Sequence, residues 1–88
     1  MVRVNGWDKV RDDNDFKMWE RGAIRVYLMD IDTVLEWDLI NSRDHIKYSM
    51  QGYKWVFVIS SPHTILPISY SKNKKEIKER IMKYIRNN

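Results

Sequence analysis

The chain has 88 residues, with 16 Lys/Arg against 12 Asp/Glu, two His, no Cys and a formal net charge of +4. That length holds one domain burying about 60 % of its unfolded surface, and the lack of thiols excludes a disulfide framework, a thiolate zinc site and a cysteine nucleophile. No apolar run approaches the ~18 residues of a membrane span and residues 1–6 have no signal-peptide core, so a cytoplasmic, non-membrane protein is expected.

Residues 1–15 read as a polar arm of a single 88-residue domain, with Trp7 and Val10 able to dock it. Asp12, Asp13, Asn14 and Asp15 favour turns because Asx side chains bond their own backbone, and the glycine and terminal glutamate of a calcium loop are missing. From residue 16 to 70 the pattern is that of an antiparallel sheet. Runs at 16–20 and 23–29 flank Gly22, whose freedom at positive φ suits a tight hairpin. In the second run Ile24, Val26 and Leu28 share one face, and Arg25, Tyr27 and Met29 share a wet one.

Asp30, Ile31 and Asp32 read as a turn. Thr33, Leu35, Trp37 and Leu39 then alternate with Val34, Glu36, Asp38 and Ile40, which predicts a third strand with two carboxylates on its solvent face. A loop at 41–44 leads to a further extension at 45–49, and Gln51-Gly52 turns the chain into the strongest strand, 53–60. That strand is apolar on both faces, so a homodimer is expected if the face away from the helix is bare. Pro67 confines residues 64–70 to an edge. Residues 73–86 are a basic amphipathic helix: Ile77, Ile81, Tyr84 and Ile85 form its stripe, with Asn73 and Glu76 spaced as a capping box.

Four Trp, five Tyr and two Phe supply the apolar area that so short a chain needs, each ring burying roughly 150 to 250 Å². Trp37 and Trp55 are expected in the core, while Trp7 and Trp19 stand open between core and surface. The fold class is therefore α+β, a four- or five-stranded antiparallel sheet with the C-terminal helix packed on one face.

Trp7, Trp19 and Trp37, followed by Ser71, Lys72, Glu76, Ile77, Tyr84, Ile85, Arg86 and Asn88, form an order that resembles small archaeal proteins built from an antiparallel sheet and one C-terminal helix. The resemblance implies the fold and brings no activity with it. The strand-strand-strand-strand-helix order is also similar, in topology alone, to the single-strand-binding transcriptional coactivator fold.

Catalytic chemistry finds little support. Val26 to Leu35 looks like a dehalogenase-type phosphatase signature around Asp30 and Asp32, but a parallel, doubly wound sheet does not fit in this length. Ser60 and Ser61 lack a strained elbow, Gly6, Gly22 and Gly52 are too isolated to cradle phosphate, and a zinc site would need both His45 and His63. No enzyme, cofactor or small-molecule substrate is expected.

Charge points elsewhere. Residues 1–44 carry seven Lys/Arg against ten Asp/Glu, net −3, and residues 45–88 carry nine against two, net +7. The first expectation is thus a non-catalytic binding protein that associates with nucleic acid through Lys72, Lys74, Lys75, Lys78, Arg80, Lys83 and Arg86, with Tyr27, Tyr48 and Tyr53 as stacking platforms. The alternative is a structural or protein-interaction module that self-associates through an apolar sheet face. A third is a metal-dependent hydrolase at Glu36 and Asp38.

Overall fold

The computed structural model describes residues 3–87, with side chains from Asn5 onward; Met1, Val2 and the tail residue Asn88 lie outside the described residues. Strands β1 (Arg3–Val4), β2 (Trp7–Asp12), β3 (Phe16–Arg21), β4 (Ile24–Asp30), β5 (Trp55–Ser60) and β6 (Ile65–Ser71) make one antiparallel sheet in chain order. Helices α1 (Ile31–Glu36) and α2 (Ser42–Met50) fill the connection from β4 to β5, and α3 (Lys74–Asn87) closes the chain. The fold is α+β with the C-terminal helix on the sheet, as the sequence implies.

Two hairpins follow directly from glycine chemistry. Val4 pairs with Trp7 across Asn5-Gly6, both at positive φ (53° and 84°), the type I′ geometry whose twist matches the strands. Arg21 pairs with Ile24 across Gly22-Ala23, where Gly22 alone has positive φ (60°), as a II′ turn requires. Residues 1–15 are thus not merely a polar arm: β2 pairs along β3, and the cluster at Asp13, Asn14 and Asp15 supplies the turn between them, with the Asp13 N–H donating to the Phe16 carbonyl.

The expected third strand at 33–39 is a helix instead. Asp30 caps it, its carboxylate accepting from the Thr33 N–H at 2.8 Å. Asp38 ends it in the left-handed region (φ 61°), where the Asp38 N–H reaches the Leu35 carbonyl and the Leu39 N–H that of Val34, a Schellman closure. Residues 45–49 are likewise helical. Asn41 caps α2 through the Asp44 N–H, and Gly52 (φ 90°) closes it with the same pair of bonds, from Gly52 to Ser49 and from Tyr53 to Tyr48.

These helices overturn the wet face assigned to β4. Tyr27 and Met29 join Val56, Val58, Ile31, Val34 and Ile40 in a buried cluster on that side, so the second face of β5 is covered from within the chain. The bare face on which the expected dimer was conditioned is therefore not present. On the opposite side Ile77, Ile81 and Ile85 of α3, all fully buried, pack with Trp7, Trp19, Val26, Leu28, Trp55 and Phe57. Burying each isoleucine contributes about 1.5 to 3 kcal/mol.

The tryptophans divide differently from expectation. Trp7 is fully buried and Trp19 nearly so, whereas Trp37 is 40 % exposed and leans its ring on Phe16 and Tyr27. Losing its strand places Trp37 at the end of α1, on the rim of the second cluster. Pro67 lies on β6, the edge strand, opposite Val58 beside an irregularity in the register, as its missing N–H requires. The two helices interposed between β4 and β5 also separate this chain order from the coactivator-type topology.

Candidate nucleic-acid interface

Helix α3 starts on half of the capping box. The Asn73 carboxamide accepts from the Lys75 N–H at 2.9 Å, but the Asn73 N–H is satisfied by the Ser71 hydroxyl at 3.1 Å and not by Glu76. Glu76 instead pairs with Arg80 one turn on. The buried isoleucine stripe then turns the charged residues of α3 sideways and outward.

The structure divides the seven basic residues into three groups. Arg80 is used internally, donating to the Ser69 hydroxyl at 2.6 Å, to the Tyr70 carbonyl at 3.1 Å and to Glu76. Lys74 donates to the Asn14 carbonyl and lies 5.1 Å from the Trp55 ring centroid, tying α3 to the β2–β3 turn. Lys75, Lys78, Lys83 and Arg86 are exposed, and their side chains have no ion-pair or hydrogen-bond partner among the described residues. Three of them, Lys75, Lys78 and Arg86, line a groove of about 310 Å³ along one side of the helix together with Met82 and Glu79.

Lys72 stands apart, 5.9 Å from the Tyr53 ring, in a smaller hollow of about 230 Å³ that Arg80 and Glu76 also line. Of the expected stacking platforms only Tyr53 lies beside cations. Tyr27 is a correction: it is buried between Phe16 and Trp37 and has no free ring face to offer. Tyr48 is on a helix, not a strand, and stacks on Tyr70 with centroids 4.6 Å apart. Met82 and Glu79 were missed as groove residues, although each follows a lysine by four residues, Met82 after Lys78 and Glu79 after Lys75, which places them on the same side.

The alternative acidic site loses its geometry. Glu36 closes α1 and Asp38 is the left-handed residue two positions on, so they do not share a strand face. His45 meets Asp32 at 2.7 Å across α1 and α2, while His63 is exposed in the β5–β6 turn. Among the described residues no three His, Asp or Glu side chains gather as a metal site, and no helix is long and apolar enough to cross a membrane.

Fold and surface together define a small α+β protein with one cationic helix side. Comparisons with protein-family models, with curated proteins and with solved structures find no match to this chain.

Proposed function

We propose that the protein is a non-catalytic nucleic-acid-binding module that holds a phosphate backbone along the Lys75, Lys78 and Arg86 side of α3. The observation that carries this reading is that these three cations border one groove without an ion-pair partner among the described residues, while Lys74 and Arg80 are spent on the fold. Uncompensated cations on a rigid element release the counterions of a polyanion when they replace them, which drives binding without base recognition. Glu79 in the same groove lowers the local charge, and Met82 gives it an apolar floor suited to a sugar or base face. Tyr53 beside Lys72 offers a stacking surface at the start of the helix, where a base is worth about 1 to 3 kcal/mol.

The test is titration of fluorescent single- and double-stranded oligonucleotides at low and moderate salt. Binding at low salt that Lys78→Glu and Arg86→Glu each weaken supports the proposal. Absence of binding at low salt, or binding indifferent to both charge reversals, removes it.

A further inference from the structure

A further cavity lies away from α3. It lies on the opposite side of the sheet, about 510 Å³ between the α1–α2 connection and β6, and its lining includes Asp38, Asp44, Tyr48, Leu66, Pro67 and Tyr70. Among the described residues no Lys, Arg or His lines it. The volume falls within the range of small-molecule sites.

We propose that this cleft binds a small organic cation, an alkylammonium or alkylguanidinium. Four observations point there. The carboxylates of Asp38 and Asp44 have no cationic partner among the described residues, so the cleft carries uncompensated negative charge. The Tyr48 and Tyr70 rings, stacked at 4.6 Å and 30°, form an aromatic wall, and cations favour the electron-rich faces of such rings. Leu66 and Pro67 give an apolar side against which an alkyl stem can lie.

The fourth observation is rigidity. Asp38 is placed by the Schellman closure of α1, Asp44 by the Asn41 cap, and Tyr48 by the closure of α2. A site held this way loses little freedom on binding. Burial first, then Tyr48 and Asp44, push the Tyr70 phenol up to about 12.

The same features disfavour other occupants. A hard divalent ion wants six or more oxygens at close range, and two carboxylates beside two stacked tyrosine rings do not supply them. An added peptide strand would need a regular edge, whereas β6 carries Pro67 and a register irregularity there. The ligand chemistry is shared by a free amine and by the arginine side chain of another protein, and two probes separate them.

Isothermal titration of the full chain with n-butylamine and, separately, with N-acetylarginine amide, each a single cation, tests the proposal, with neutral N-butylurea as the uncharged comparison. The expected result is saturable binding of at least one cationic probe, weakened about tenfold by Asp44→Asn and unchanged by Glu36→Gln, an exposed carboxylate outside the cleft. Preference for n-butylamine assigns the site to a free amine, and preference for the amide assigns it to an arginine side chain. Should Asp44→Asn lose its native near-ultraviolet circular dichroism, Asp38→Asn carries the same comparison. Absence of saturable heat with both cations, equal binding of N-butylurea, or binding indifferent to both carboxylate changes overturns the site.

Discussion

The carboxamide of Asn5 donates to the carbonyl of Ile85 at 3.1 Å and to that of Arg86 at 3.2 Å, so the first turn of the chain caps the last helix across eighty residues of sequence. A helix leaves its final carbonyls without partners, and here the β1–β2 turn supplies the donor. The same residue sits at φ 53°, a left-handed conformation that asparagine tolerates better than most side chains.

Two substitutions separate these roles. Asn5→Gly keeps the backbone freedom and loses the donor, and its expected cost is about 1 kcal/mol. Asn5→Ala adds the strain of a left-handed alanine and costs about 1 to 2 kcal/mol more. Urea denaturation measures both, and amide exchange at the end of α3 should speed up in each variant.

Trp7 is fully buried, yet its indole nitrogen has no hydrogen-bond partner among the described residues. An edge contact with Tyr84 at 6.0 Å and the Arg21 guanidinium over the ring face at 4.8 Å hold the ring in place. Deleting a stranded donor recovers about 1 to 3 kcal/mol, which offsets the cavity left behind. Trp7→Phe is therefore expected to cost less than Trp19→Phe, although Trp7 is the more buried. Denaturant unfolding of the two variants decides it, and an equal or larger loss at Trp7 goes against the argument.

Asp12 reports on the sheet beside α3. Hydrogen bonds first from Lys17 and then from Lys9 lower its pKa from 3.8 to about 2. Lys17 lies opposite Leu28 and Lys9 opposite Trp19, on the face that α3 covers. A depressed carboxylate stabilises the folded state above the unfolded value and loses that contribution as pH falls through the folded one. The difference in melting temperature between the parent protein and Asp12→Asn should hold steady above pH 4 and shrink between about pH 4 and pH 2. A difference that stays constant through that window contradicts the assignment.

Parts of this structure are plain in the sequence. Alternation at Ile24, Val26 and Leu28, the proline at 67 and the isoleucine stripe of α3 each follow one period, and each forms the element it implies. Residues 31–40 satisfy two periods at once: Ile31, Val34 and Leu35 fit a helix face as well as Leu35, Trp37 and Leu39 fit a strand. The caps decide between them, Asp30 three residues before Thr33 and Asn41 three before Asp44, and these were legible as start signals. The Asn5-Gly6 dipeptide was an equally direct hairpin signal. What no pattern reveals is the division of the basic residues, because Lys74 and Arg80 find partners on β6 and in the β2–β3 turn only once the helix has crossed the sheet.

That division is the central claim, and the salt dependence of oligonucleotide affinity measures it directly. Lys75, Lys78 and Arg86 acting together on single-stranded DNA predict a slope of log K against log salt of about −2, made shallower by Lys78→Glu. A slope near zero, or one that Lys78→Glu leaves unchanged, contradicts it.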